Sequence, residues 1–172
     1  ERVRFTSPHP RDFTNDVIEA MATTANVMPQ LHMPLQSGSD RVLKEMRRSY
    51  RVEKYMGIID RVREAMPHAA ITTDIIVGFP GETEEDFLQS MEVAALAQFD
   101  AAYLYIFSPR EGTAAAKMTD QFVDPEVVSQ RYDRLKVVLD HSAVQKHRER
   151  IGRVEEVIVE GRNKRDESKW TG

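Results

Sequence analysis

The stretch Ala70–Thr83, AITTDIIVGFPGET, indicates the fold class more strongly than any other part of the sequence. Residues 70–77 are rich in Ile, Thr and Val, which is typical of a buried strand. The Gly and Pro residues that follow predict a tight loop over 78–83. Acidic residues then open an amphipathic segment over 84–98, and negative charge stabilises the first turn of a helix. The stretch therefore predicts a strand, a loop and a helix in succession.

The same order of strand and helix extends on both sides of this stretch. Further strands are predicted over 3–7, 30–35 and 101–107. Further helices are predicted over about 12–25, 40–48, 52–66 and 124–151, with Asp40 and Asp124 as caps. Alternation of this kind is typical of a parallel sheet, whose ligands bind at the carboxyl ends of the strands. We therefore predict an α/β fold with four parallel strands and expect the functional residues just after them.

Composition and charge restrict the class of protein. The 172 residues are 41% hydrophobic and 30% charged, with a formal net charge of −4, so charge alone does not indicate a nucleic-acid binder. No run approaches the ~20 apolar residues that span a bilayer, and no signal peptide is visible, so we expect a cytoplasmic protein with no membrane partner. The chain contains no cysteine, which excludes disulfides, thiolate metal sites and cysteine nucleophiles within it.

A change of pattern near Gly152 predicts a domain boundary. The β-branched run over 154–159 does not continue the alternation, and the residues beyond it are polar. We predict one domain over residues 1–152 and the start of a small β domain over residues 153–172. Because the chain lacks an initiator Met and opens on a strand pattern, we expect it to be part of a longer protein. The sequence does not indicate an oligomeric state.

Polar residues after the predicted strands are candidates for ligand binding. Asp74 lies in an apolar strand, where a carboxylate needs a partner; this could be a ribose hydroxyl or a neighbouring Arg. Gln36 and Ser37 end the second predicted strand and can donate and accept hydrogen bonds. Gly78 lets the backbone approach a ligand, although a tight turn without a ligand explains it equally well. Arg48 could bind a carboxylate through its planar fork of donors or stabilise a helix end.

Other side chains give weaker signals. His32 alternates with apolar residues, so its side chain would face the interior of a barrel, but a lone His is more often structural. His9 has the same structural explanation. No His, Asp and Glu group has a metal-ligand spacing, and we predict no catalytic residue. The basic clusters at 146–153 and 162–165 are either solvated or contact RNA phosphates.

Five strings, in order along the chain, resemble the radical S-adenosylmethionine tRNA methylthiotransferase family. They are FTSPHP at 5–10, HMPLQSGSD at 32–40, MRR at 46–48, DIIVGFPGET at 74–83 and YIFSPREGT at 105–113. The resemblance covers nearly the whole chain with coherent spacing. The strings at 7–10 and 36–39 favour the tRNA-modifying branch over the relative that modifies an aspartate of a ribosomal protein.

The resemblance implies a partial (β/α) TIM-like barrel. The chain would contribute the later strands of the radical S-adenosylmethionine domain. The beginning of a small RNA-contacting β domain of the TRAM type would follow. It also implies S-adenosylmethionine and, in the full-length enzyme, two 4Fe-4S clusters. The implied activity adds a methylthio group to C2 of N6-isopentenyladenosine in the tRNA anticodon stem-loop. Because the chain has no cysteine to bind a cluster, we expect it to be inactive alone.

The resemblance also assigns roles to the candidate residues. Gln36 and Asp74 would bind the ribose hydroxyls, and Arg48 the methionine carboxylate. The side chains of Ile76 and Phe107 would pack against the adenine, above a pocket floor formed by 78–82. The predicted cofactor-binding residues are Gln36, Ser37, Arg48, Asp74, Ile76, Gly78 and Phe107.

Two further functions stay open on the residues alone. The loop at 78–82 could bind a nucleotide or sugar phosphate in a different α/β enzyme, although it lacks the ending of a phosphate-binding loop. The long helix and its basic end could form a non-catalytic RNA-binding module. RNA binding that falls steeply with salt and is insensitive to Asp74→Ala would favour that module.

Overall fold

The computed structural model describes residues 2–171, so Glu1 and Gly172, the ends of the two predicted domains, lie outside the described residues. In chain order the elements are α1 (Asn15–Thr23), β1 (Gln30–His32), α2 (Asp40–Glu45), α3 (Val52–Ala65), β2 (Ala70–Val77), α4 (Glu84–Ala97), β3 (Ala101–Ile106), α5 (Pro125–Arg148), β4 (Gly161–Arg162) and β5 (Trp170–Thr171). Two short 3-10 turns, Ala115–Lys117 and Thr119–Gln121, interrupt the segment between β3 and α5.

Strands β1, β2 and β3 form one parallel sheet with β2 in the centre. Along β2 the buried side chains alternate with partly exposed ones, so the two faces of the sheet differ. Ile71 and Ile75 on the buried face belong to one hydrophobic core with Ile59 of α3, Phe87 of α4 and Leu135 of α5. The opposite face is open to solvent. The prediction of a parallel α/β fold is therefore confirmed.

The prediction of a strand over 3–7 is wrong. Among the described residues this segment makes two isolated parallel bridges, Val3 to Val27 and Thr6 to His32, and no continuous ladder. Ser7 has a left-handed backbone, with φ of 55°, and Pro8 has no N–H to donate, so the pairing cannot extend. The sheet therefore has three strands in the described part of the chain rather than the predicted four.

Strand β1 is shorter than the predicted 30–35 because Pro34 interrupts its hydrogen bonding. Proline has no N–H to give to β2. The next amide, that of Leu35, donates instead to the Thr73 hydroxyl at 2.9 Å. Pairing resumes at Gln36, whose N–H donates to the carbonyl of Asp74 at 2.8 Å.

Helix α2 is capped by the residue before the predicted cap, and it ends earlier than predicted. The cap is Ser39, whose hydroxyl accepts from the Val42 amide, whereas the Asp40 carboxylate accepts from the amide of Val52 at 2.8 Å. The helix stops at Glu45, before the predicted 48, because Arg47 takes a left-handed conformation with φ of 57°. By contrast α3, β2, α4 and β3 lie within one residue of their predicted bounds.

The residues after α5, where the sequence predicts the start of a small β domain, contain little regular structure. In the described residues no strand forms over 154–159, and Val154 is fully exposed, so this run has no surface to pack against. A short antiparallel hairpin forms further on, between β4 and β5. Within it the guanidinium of Arg162 lies 4.2 Å from the centre of the Trp170 ring.

Candidate cofactor site

Three of the predicted site residues meet at the carboxyl edge of β1 and β2. Gln36 forms a parallel bridge with Ile75, donating to the carbonyl of Asp74 and accepting from the amide of Ile76 at 2.9 Å. Its left-handed backbone, with φ of 69°, turns the chain at this point. The structure therefore brings Gln36, Asp74 and Ile76 together.

Asp74 and Ile76 lie on the open face of the sheet, opposite the helices. His32 lies on this face too, and its Nε2 is 3.2 Å from Oδ2 of Asp74. The His32 ring also meets Tyr103 edge to face, with ring centres 5.9 Å apart. The local partner of Asp74 is therefore a histidine rather than the Arg considered from sequence. About a fifth of the Asp74 side chain stays exposed.

The loop after β2 has a shape that only glycine permits. Gly78 has φ of 76°, and a Cβ at this position would lie 2.6 Å from a methyl group of Val128 on α5. Its N–H donates to Oε2 of Glu82 at 2.9 Å. Phe79 meets Phe107 edge to face at 5.4 Å, so the loop lies beside the end of β3.

Asp86 ties the turn after β1 to the loop after β2. The Ser39 hydroxyl donates to its Oδ1 at 2.6 Å, and Arg41 and Thr83 donate to its other oxygen. Arg41 also donates to the carbonyl of Gly81 at 2.6 Å. Burial acts to raise the pKa of Asp86, but these donors outweigh it and hold the pKa well below its usual range. One carboxylate therefore holds these two turns together.

Ser37 belongs to this set of contacts rather than to the open face. Its hydroxyl is fully buried, 3.4 Å from the hydroxyl of Ser90 on α4, and accepts from the amide of Ser39 at 3.2 Å. The next residue, Gly38, passes so close to α4 that a Cβ would lie 2.5 Å from the Cα of Ser90. Both residues thus fix the turn that carries Gln36.

Arg48 lies just beyond α2, on the β1 side of the sheet, and is half-buried. It is close to His9, whose pKa is lowered by burial and by nearby positive charges that include Arg48. Among the described residues Arg48 takes no part in the hydrogen bonds that join Gln36, Asp74 and Ile76. The structure does not bring Arg48 into direct contact with that group.

Sequence reasoning missed the acidic residues that support the site. The spacing of Thr83 and Asp86 is that of a capping box and could have identified the carboxylate, since each accepts from the other's backbone amide. The Glu82–Arg131 pair gave no such signal, because its members are far apart in sequence.

Within residues 2–171 no three His, Asp or Glu side chains are grouped so as to hold a metal ion. No helix of that part of the chain is long and apolar enough to cross a membrane.

Comparison with known proteins identifies the family. The Radical SAM superfamily profile matches residues 1–94, more than half of the 172 residues. A tRNA-2-methylthio-N(6)-dimethylallyladenosine synthase from a Nocardioides species is 61% identical over 167 residues, covering 96% of this chain and 34% of the relative. The synthase of the same name from Mycolicibacterium smegmatis is 57% identical over 175 residues and covers the whole chain. The chain spans about a third of the length of these curated relatives.

A solved structure supports the fold assignment. Coproporphyrinogen III oxidase (HemN) from Escherichia coli, a radical SAM enzyme, superimposes with a TM-score of 0.66 at 19% identity. The match covers 77% of this chain and 31% of that one. At this identity the likeness concerns the fold alone, and it agrees with a three-stranded portion of a β/α architecture that is not closed into a barrel here. On its sequence and its fold, the chain belongs to the radical SAM superfamily.

Proposed function

We propose that this chain forms the later part of the catalytic domain of a tRNA methylthiotransferase. The whole enzyme would add a methylthio group to C2 of N6-isopentenyladenosine in the tRNA anticodon stem-loop, in the cytoplasm. The observation that carries the proposal is the identity of 57–62% to synthases of that name over nearly the whole chain. The edge formed by Asp74 and Ile76, with the largely buried Gln36 beside them, supports it, since ligands of parallel sheets bind at such edges.

We infer that S-adenosylmethionine binds along this edge. Gln36 and the exposed part of Asp74 would accept or donate hydrogen bonds to the ribose, and Ile76 and Phe107 would pack against the adenine. Gly78 would let the backbone approach the ligand, and the buried Ser37 would hold the turn in place. These residues fit the cofactor because the face combines a carboxylate, an amide and apolar surface.

Arg48 would have to reach the methionine carboxylate from beyond α2. Arg48 is half-buried, and its positive charge acts to lower the pKa of both His9 and Tyr50. We infer that it binds the end of the ligand farthest from the adenine, as the fork of donors on Arg suits a carboxylate.

The chain's own residues do not fit an iron–sulfur cluster. Clusters of this kind are held by cysteine thiolates, and the chain contains none. We propose that the ligands of the two 4Fe-4S clusters are provided from outside these 172 residues. Residues 153–172 would begin a small RNA-contacting β domain of the TRAM type, which the hairpin of β4 and β5 and its basic side chains support.

The function is tested by mass spectrometry of tRNA nucleosides from cells that lack the gene. We expect the methylthio adenosine to disappear and its unthiolated precursor to accumulate. An unchanged nucleoside profile would reject the tRNA activity. Mass spectrometry of ribosomal proteins would then test the alternative, modification of an aspartate of a ribosomal protein.

The site is tested by S-adenosylmethionine binding to the full-length protein. Asp74→Ala and Arg48→Ala should each weaken binding by about 1–3 kcal/mol, the cost of leaving a polar group unmatched. Asp60→Ala, an exposed change on the outer side of α3, is the control and should have no effect. Unchanged affinity in both site variants would reject the assignment of the cofactor site without affecting the assignment of the fold.

A further inference from the structure

A buried ion pair joins α5 to the loop that follows β2. Nη1 of Arg131 lies 3.1 Å from Oε2 of Glu82 and also donates to the Glu82 carbonyl at 3.1 Å. The two side chains are 6% and 1% exposed. Such a pair is weak evidence for stability, because desolvation of both ions offsets their attraction. Its location beside the candidate site suggests a role in geometry instead.

The pair extends to the glycine that shapes the loop. The same Oε2 of Glu82 that faces Arg131 accepts the N–H of Gly78 at 2.9 Å. Burial raises the pKa of Glu82 above its usual range, although the Gly78 amide and Arg131 both favour the carboxylate and oppose this shift. A chain of two contacts therefore runs from α5 to the Gly78 amide.

A second residue of α5 supports Gly78 from the other side. Val128, three positions before Arg131, faces Gly78 so closely that no Cβ fits between them. Residues three apart lie on the same side of a helix, so one face of α5 contacts the loop twice. Gly78 directly follows Val77, and Phe79 packs on Phe107, so a displacement of the loop would move the proposed adenine edge.

We propose that Arg131 is a positioning residue for the cofactor site. By holding the Glu82 carboxylate, it fixes the Gly78 amide and the loop over 78–82 in the conformation that accepts S-adenosylmethionine. The cofactor in this inference rests on the proposed function.

The neighbouring Arg134 offers a matched control. It lies on the same helix, pairs with Glu84 at 2.6 Å and stacks 4.8 Å from the centre of the Phe87 ring. Within the described residues its side chain forms no hydrogen bond or ion pair with Glu82 or Gly78. Arg134→Ala thus removes an arginine, an ion pair and a ring contact while leaving the contacts of Arg131 with Glu82 in place. Arg131 shares Glu84 with Arg134, through a separate contact of its Nε at 3.2 Å.

The test compares Arg131→Lys, Arg134→Ala and the double variant Glu82→Gln with Arg131→Met in the full-length protein. The double variant removes both charges and leaves no buried ion unpaired, so it should fold. Hydrogen exchange is measured in the peptide spanning 78–82, and S-adenosylmethionine affinity by calorimetry. We expect faster exchange and about 2- to 30-fold weaker binding in the double variant, partial recovery in Arg131→Lys, and no change in Arg134→Ala.

The outcomes separate this role from a purely structural one. If the pair is purely structural, the double variant should have a lower melting temperature. Its affinity for S-adenosylmethionine and the hydrogen exchange of the peptide spanning 78–82 should then equal those of Arg134→Ala. This result would overturn the inference. Wild-type protein that binds no S-adenosylmethionine would instead overturn the proposed function, together with the role derived from it.

Discussion

Gly38→Ala should destabilise the protein strongly, for a steric reason that can be worked from distances. A Cβ at Gly38 would lie 2.5 Å from the Cα of Ser90, 2.7 Å from the carbonyl oxygen of Gln89 and 2.8 Å from the Ser90 amide nitrogen. Carbon atoms pack at about 3.5 Å, so the turn and α4 would have to separate by about 1 Å. These are backbone atoms, which cannot rotate away as a side chain would.

The size of the effect follows from two losses. Overpacking in a rigid interior costs about 1–3 kcal/mol, and the upper end applies here because a helix backbone must move. The separation also weakens the 2.8 Å hydrogen bond from the Gly38 amide to the Ser90 hydroxyl, worth about 1 kcal/mol. We therefore expect the free energy of unfolding to fall by about 3–4 kcal/mol.

Urea denaturation followed by circular dichroism measures this change, with Gly57→Ala as the control. Gly57 lies inside α3, and a Cβ there meets nothing closer than a guanidinium nitrogen of Arg61 at 3.7 Å. Alanine at that position should stabilise the protein by about 0.5–1 kcal/mol, since glycine weakens a helix interior. A loss below about 1 kcal/mol in Gly38→Ala would refute the steric argument.

Three other substitutions have equally definite outcomes. Asp86→Asn should cost about 2 kcal/mol at pH 7 in urea denaturation. Because the folded-state pKa of Asp86 is depressed, that difference from wild type is full above its ordinary value of 3.8 and should shrink as the pH falls below it. The Tyr55 hydroxyl lies 3.1 Å from the Thr73 hydroxyl. Thr73→Val should cost about 1–3 kcal/mol, and more than Tyr55→Phe, since it leaves the buried Leu35 amide without an acceptor. Gly78→Ala should weaken S-adenosylmethionine binding at least tenfold by calorimetry, because alanine at a left-handed φ would also collide with α5; an affinity equal to wild type would contradict this.

The elements that sequence predicted well are those whose signals are local. The bounds of β2, Ala70–Val77, follow from a β-branched run that ends at a glycine. Helix α4 begins where Thr83 can cap it. In both cases the residues that decide the structure lie within the element or next to it.

The predicted strand over 3–7 failed because a strand depends on a partner. Thr6 does lie beside His32 of β1, and Val3 beside Val27 just upstream of that strand, but each forms a single bridge. A run of suitable residues cannot reveal whether the neighbouring segment offers a continuous row of hydrogen-bonding groups. The β-branched run over 154–159 likewise forms no strand, and Val154 is fully exposed among the described residues.

The candidate site was predictable where topology alone decides proximity. Parallel strands end at one edge, so Gln36 and Asp74 had to be near each other once the fold was known. The His32–Asp74 contact was not predictable, since it depends on the register of β1 against β2, which places His32 opposite Thr72.

The acidic start of α4 illustrates why the supporting residues escaped notice. Negative residues in a first turn are explained by the helix dipole, at about 0.3–1 kcal/mol each. In the structure Glu84 pairs with two arginines of α5, while Asp86 receives donors from the turn after β1. Glu82, just before the helix, holds the Gly78 amide. Glu84 and Asp86 thus share one sequence explanation, yet together with Glu82 they fasten the loop and the start of α4 to two different elements, α5 and the turn after β1. Because these anchors all lie behind the sheet, the loop can keep its shape while its other side stays open to a ligand.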